Sequence, residues 1–347
     1  MIERRYAEYA VQMTEQLLAI DSPTGFTAAA AAWCLKAFRD LGFAAEYTNK
    51  GGVLVDLGGD DASPEGGLLL EAHIDTLGGM VAAIKPDGRL KITNLGGLRA
   101  DNVETENVRV HTRAGQVYEG TAQLMNASVH NNPNYSTTPR SWDTVEIVLD
   151  EDVRTAADTK ALGIRVGDIV APEPRTRTTA SGYIKSRYLD DKLCVGILLG
   201  FAAFLRNNQI RLGRHTYALL TVYEEVGHGG AGPVPAGVTE GIALDMGCVG
   251  DGLACTERQV SICTKDGKGP YCYEVISKLI EAAEAEGADY ETGCYINYSS
   301  DIEVTAASHD IRHGLIGPGV YASHGYERSH IDGVWSTLKV LKGYLKV

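Results

Sequence analysis

The chain places two adjacent carboxylates, Glu224 and Glu225, at the end of the apolar run Tyr217–Tyr223. Such a run reads as a buried strand, and two charges where it stops cost desolvation energy unless something pairs with them. A cation cluster at that strand end would pair with them. Other candidate ligands stand in matching positions. His73-Ile74-Asp75 follows the apolar run Leu68–Leu70, Asp190-Asp191 opens a helix-like stretch, Asp245 ends Gly241–Leu244, and His324 lies near the C-terminus. Together they have the make-up of a hydrolytic two-metal site assembled from separate segments.

At 347 residues the chain exceeds the usual size of a single core, so one large α/β domain plus a smaller one is expected. A net charge of −13 leaves no basic stripe to neutralise phosphates, which excludes nucleic acid as a partner. The N-terminal residues lack the apolar core of a signal peptide, and no run reaches transmembrane length, so no membrane association is expected. Seven scattered cysteines without a CxxC pair imply free thiols in a reducing, cytoplasmic setting.

Residues 3–20 have the period of an amphipathic helix, and a second helix is expected over about 27–41, ending at Gly42. Strands follow at Gly52–Gly58 and Leu68–His73. From about 80 to 178 the texture changes to short alternating stretches separated by turns, which reads as a small β-barrel or sandwich. A helical pattern returns over Lys192–Leu205, with a strand at Tyr217–Tyr223 and a helix over 272–286. The expected architecture is a discontinuous α/β domain, residues 1–77 and 179–347, carrying an inserted β-rich domain over 78–178.

On a strand, residues two apart face the same side, so His73 and Asp75 project together. Asp75 suits the role of a carboxylate that fixes the tautomer and orientation of a ligating imidazole. Two metals need a bridging carboxylate, and Asp190 is the candidate, with Asp191 as the helix-start residue. Glu224 and Glu225 point in opposite directions along an extended backbone. One can hold metal while the other takes a proton from water as general base. The glycine-rich turn that follows them lets backbone approach a ligand closely.

The motifs Ser22-Pro-Thr-Gly25, Glu71-Ala-His-Ile-Asp-Thr-Leu-Gly78, Ile84-Lys-Pro-Asp-Gly88, Leu189-Asp-Asp-Lys192, Val222-Tyr-Glu-Glu-Val-Gly227 and Ala243-Leu-Asp-Met246 add a second line of inference. In this order and spacing they resemble the tetrahedral aminopeptidases, dinuclear metallopeptidases that include glutamyl aminopeptidases and proteins once labelled cellulase. The resemblance runs close to full length. It implies an α/β, mixed-sheet, three-layer metallopeptidase domain with a small inserted all-β, barrel-like domain used in assembly. It further implies one metal held by His73, Asp190 and Asp245 and a second held by Asp190, Glu225 and His324. Glu224 is then the general acid/base and Asp75 the partner of His73. Zinc or cobalt is the metal the family implies, and carboxylate–imidazole ligation without thiolate also accommodates manganese. Assembly into a homo-oligomer, a dimer or a dodecamer built from dimers, follows from the same resemblance.

The segment Tyr321–His330 departs from the family's usual form, which leaves His330 as an alternative to His324. His228 stands in a turn where relatives have another residue, so it either approaches substrate or caps the loop. His309 and His313 are expected at the surface, and His111, His130 and His215 in structural or solvated roles. Asn126–His130, Ser136–Pro139 and Ile184–Leu193 resemble a subfamily linked to a gene cassette for an amidated dipeptide osmoprotectant.

The expected function is metal-dependent removal of N-terminal residues from short peptides through a metal-bridging water. Two other readings use the same residues: an amidohydrolase or deacylase acting on an acyl-amino or modified-dipeptide compound, and a metal- or peptide-binding protein with an inactive site. A nucleotide-binding oxidoreductase is excluded, because no strand leads into a GxGxxG turn and helix.

Overall fold

A computed structural model describes residues 2–347. The chain divides into two compact units, one formed by Met1–Asp75 with Arg175–Val347 and the other by Thr76–Pro174. The larger unit is built on a mixed sheet. Its centre is four parallel neighbours in the order Thr216–Thr221, Gly67–His73, Val238–Leu244 and Arg312–Tyr321. Val53–Gly58 and Ala44–Tyr47 extend one side antiparallel, and Glu327–His330 and Tyr183–Ser186 continue the other.

Every residue of Gly67–His73 is buried, as expected of a parallel strand covered on both faces. Helix Leu189–Asn207 is buried from Leu189 through Leu205 and packs between the sheet and helix Arg5–Leu18. Two glycines set that approach. A Cβ on Gly196 would lie 2.6 Å from the Ala10 carbonyl oxygen, and one on Gly200 would lie 2.8 Å from that of Tyr6. Lys192, buried at the start of the same helix, donates from Nζ to the carbonyls of Leu17 (3.1 Å) and Ile20 (2.7 Å). A cation there meets carbonyls at the C-terminal end of helix Arg5–Leu18, where the helix dipole is negative.

The smaller unit is a closed six-stranded antiparallel barrel. Its order is Gly78–Ile84, Leu90–Leu95, Val145–Leu149, Val117–Leu124, Asn107–His111 and Ile169–Pro172. Alternate residues such as Val108, Val110, Ala122 and Leu124 fill it, the two-residue period that marked this stretch in the sequence. The expected all-β insertion is thus a barrel, with one short helix, Ala156–Ala161, started by a capping box between Thr155 and Asp158.

Two local expectations need correction. The strand expected over Tyr217–Tyr223 ends at Thr221. Tyr223 turns left-handed (φ 74°) and Glu224–Val226 forms a 3-10 turn, so the turn, not strand pleating, separates the two glutamates. Asp191 does not start a helix by capping it. Asp190 and Asp191 are joined by a cis peptide and are both non-helical. The Asp191 carboxylate is fully buried and accepts the backbone N–H of His73 at 3.2 Å.

Candidate metal centre

In an open α/β sheet, ligands gather beyond the carboxyl ends of the strands. Here the parallel strands deliver one polar side chain after another to that edge. His73 ends its strand, Glu224 and Glu225 follow Thr221 in the 3-10 turn, and Asp245 comes directly after Leu244. His324 sits in the turn beyond Tyr321, held by left-handed backbone at Ala322 and His324. Asp190 enters from the segment before the buried helix.

These six side chains converge. His73 Nε2 lies 3.1 Å from Asp190 Oδ1 and 3.7 Å from Glu224 Oε2. On the other carboxylate oxygen, Asp190 Oδ2 lies 3.5 Å from His324 Nε2, which is in turn 3.6 Å from Glu225 Oε2. His73, Asp190 and Asp245 each offer one ligand atom within 4.8 Å of the others. One carboxylate therefore faces an imidazole on each oxygen.

The surroundings orient the cluster. His73 Nδ1 lies 2.9 Å from the backbone carbonyl of Asp75 and 3.7 Å from its carboxylate, so the main chain is the nearer partner. The Asp75 carboxylate accepts from the Thr24 hydroxyl (2.7 Å) and from the Glu224 N–H (3.1 Å), tying that turn to the strand end. Asp245 accepts from the Ser300 hydroxyl and from the Met246 N–H, both at 2.6 Å. Glu327 is buried and accepts the backbone N–H of Asp190 on one oxygen and of His324 on the other, each at 3.0 Å.

So much carboxylate in little water moves the acidities. Burial pushes Glu224 and Glu225 well above the usual carboxylate range, with the charge of Asp190 adding to both. Burial and then Asp190 push Asp245 up to about 6. Burial opposes ionisation of Asp190 too, but hydrogen bonds from His324 and His73 outweigh it and hold this carboxyl low. Glu327 is pushed up to about 8 by burial and by Asp190. The buried Glu225 Oε1 meets no hydrogen-bond donor. A set of mutually repelling carboxylates, two imidazoles and an unpartnered buried oxygen fits a pair of divalent cations in its donors and its charge.

Three of the other histidines are occupied elsewhere. His330 donates from Nε2 to the Ser181 carbonyl (2.7 Å) and accepts the Asp332 N–H on Nδ1 (3.0 Å), capping helix Ile331–Tyr344. His228 stacks on Tyr223 with centroids 4.8 Å apart, and His215 bridges Asp56 and Asp61. Glu327 and Ser300 went unnoticed in the sequence. Their only signals there are the place of Glu327 three residues after His324 and the Ser300–Glu303 capping-box spacing.

A cavity of about 570 Å³ opens onto the cluster, lined also by Met246, Lys268, Tyr298 and Ser323. A mixed α/β sheet with a buried carboxylate–imidazole cluster beyond its strand ends defines a metal-dependent hydrolase. The family model for M42 glutamyl aminopeptidase matches residues 51–340, and the chain belongs to that family. It is a metal-dependent aminopeptidase. YhfE of Bacillus subtilis (strain 168) is 40% identical over 337 residues, covering 97% of each chain. The TET aminopeptidase from the marine sediment archaeon Thaumarchaeota archaeon SCGC AB-539-E09 has the same fold, with a TM-score of 0.86 at 16% identity over 97% of this chain and 96% of that one. The Pyrococcus horikoshii TET1 peptidase, which can assemble into a tetrahedron or a large octahedral shell, superposes with a TM-score of 0.83 at 18% identity over 97% and 99%. Among the described residues no helix is long and apolar enough to cross a membrane.

Proposed function

We propose that the protein removes N-terminal residues from short peptides at a centre of two divalent metals. His73, Asp190 and Asp245 hold one ion, and Asp190, Glu225 and His324 hold the other. Bound there, the ions would supply Lewis-acid polarisation of a carbonyl and would lower the pKa of water. Glu224, set beside His73 by the tie between its N–H and Asp75, takes a proton from the attacking water on its carboxylate and returns it to the leaving amine. Asp75 holds that turn and backs His73.

The observation that carries this reading is the split environment of Asp190, with His73 on one oxygen and His324 on the other. Zinc is the metal proposed, with cobalt or manganese compatible with the same donors. A cytoplasmic homo-oligomer built from dimers is proposed with it, supported by the free cysteines and by the shells formed by the TET1 peptidase.

Glu224→Gln keeps every proposed ligand but loses the base. It should retain the metal content by elemental analysis while kcat falls by about 10²–10⁴-fold. Asp190→Ala should lose both ions. Near-normal turnover in the first variant, or full metal content in the second, would contradict the assignments. Peptide amides, N-acetylated analogues and an amidated dipeptide should be compared, and cleavage should require a free α-amine.

A further inference from the structure

We infer that Asp266, Tyr271 and Glu303 form a proton-sharing clamp that positions the wall of the cavity facing the substrate, and that Glu303 keeps its proton while the wall is in place. The inference rests on the aminopeptidase reading for what that wall meets.

The wall is made by two segments: the tight turn Asp266–Gly269, which brings Gly267 and Lys268 to the cavity, and residues 296–299, which precede helix Asp301–Ser308. They touch through backbone. Gly267 N–H donates to the Tyr298 carbonyl at 2.9 Å, and a Cβ on Gly267 would lie 2.9 Å from the carbonyl oxygens of Ile296 and Tyr298. Each segment is also held from behind by a carboxyl group. Asp266, fully buried, accepts the N–H of Lys268 (2.7 Å) and of Gly269 (3.2 Å) on Oδ1, which shapes the turn. Glu303 accepts the N–H of Ser300 at 2.8 Å, which fixes where the second segment enters its helix.

The two carboxyl groups meet at Tyr271. Its hydroxyl lies 3.0 Å from Asp266 Oδ2 and is in hydrogen-bond contact with Glu303 Oε1, so it stands between the two carboxyl groups. A phenol has one hydrogen to give, and two ionised carboxylates supply none. Closing these contacts takes a second proton. Asp266 already accepts two backbone N–H groups, so it is the better anion, and the second proton belongs on Glu303.

The neighbours agree with that placement. Burial, then Asp266, pushes the Glu303 carboxyl up to about 8, whereas the hydrogen bonds around Asp266 keep its own carboxyl below the usual range against burial. Burial and then nearby charge, that of Glu303 included, push up both buried Glu71 and the Cys263 thiol, so the neighbourhood favours no further anion. Of the nearby cations, Lys265 Nζ donates to the Asp266 carbonyl at 2.6 Å, Lys268 lines the cavity, and burial holds His313, packed on Tyr271, below its ordinary value. Once Glu303 ionises, two carboxylates face each other across one phenol hydrogen, and the support that the clamp gives the wall from behind is weakened.

The test uses the full-length, metal-loaded protein with the aminoacyl p-nitroanilide it cleaves fastest, and measures kcat and KM separately from about pH 7 to about pH 9.5. Wild-type KM should rise on the order of tenfold above about pH 8, with a smaller change in kcat. Glu303→Gln keeps a hydrogen-bond donor that never ionises and should lack the alkaline rise in KM, leaving only the change imposed by titration of the substrate's own amine. Glu303→Ala should show the raised KM at every pH. Infrared difference spectra between wild type and E303Q should contain a protonated-carboxyl C=O stretch at neutral pH that disappears in alkali. A flat wild-type KM, a rise in E303Q equal to that of wild type, or no such infrared band would overturn the inference. The spectrum needs no turnover, so a protein that shows the band but cleaves none of the anilides would refute the aminopeptidase reading alone.

Discussion

Asp190 has three demands on it at once. One oxygen faces His73, the other faces His324, and its backbone N–H is held by Glu327. Glu327 in turn holds the backbone of His324, so a single buried carboxyl group sets two of the proposed ligands in register. Replacing it should therefore reach the metals without touching them. Glu327→Ala should weaken metal retention by about 10–100-fold in a chelator competition. Glu327→Gln should weaken it too, because its amide has one acceptor oxygen for two N–H donors. Unchanged retention in both variants would show that the turn around His324 holds its shape without this residue. The sequence marked Asp190 as a carboxylate at a helix entrance, but not Glu327, since an isolated glutamate in a polar loop looks the same whether it is exposed or buried.

At the scale of elements, the site depends on how deeply helix Leu189–Asn207 sits, because Asp190 and Asp191 lead into it. That depth is set by Gly196 and Gly200 against helix Arg5–Leu18 and by Lys192 at the end of the same helix. A methyl group on Gly196 would come within 2.0 Å of Thr14 Oγ1 and 2.6 Å of the Ala10 carbonyl. Gly196→Ala should consequently destabilise by about 1–3 kcal/mol, read as a lower denaturant midpoint with an unchanged slope. A midpoint equal to wild type would mean that the two helices separate at little cost. The apolar run that makes this helix was legible as a period. The closeness of its packing was not, since it depends on which residues of another helix lie opposite each glycine. The strand before Glu224 was legible as well, but its end was placed two residues late, because Val222 and Tyr223 continue the apolar pattern into a turn.

Across the whole larger unit, the two ends of the parallel strands do different work. The carboxyl ends hold the cluster, while the opposite ends are tied by Arg214. It donates to the carbonyls of Gly66 (2.9 Å) and Gly67 (2.8 Å) and pairs with buried Glu240 at 2.7 Å. The Tyr344 hydroxyl, from the C-terminal helix, donates to the same Glu240 oxygen at 2.6 Å. Arg214→Met would leave buried Glu240 with Arg312, 3.2 Å from its other oxygen, as the remaining cation, so the loss in unfolding free energy should fall at or below the lower end of about 3–5 kcal/mol. Metal content and kcat/KM should stay near wild type at temperatures where the variant is folded. A variant that loses activity while still folded would show that the far edge of the sheet is coupled to the site.

The sequence by itself determined the inventory: an α/β unit with an all-β insertion, apolar runs that end in His73, Glu224-Glu225 and Asp245, and donors suited to hard or borderline divalent ions. Periodicity and side-chain chemistry are local properties, and they survive in a linear reading. Only the tertiary structure decided which donors meet. It set His324 and not His330 beside Asp190, committed His330 to a helix cap, gave the main chain of Asp75 the nearer hold on His73, and buried Glu327 behind two of the donors. Those outcomes depend on strand order and turn geometry, which bring together residues more than a hundred positions apart, and no local pattern encodes a distance across the chain.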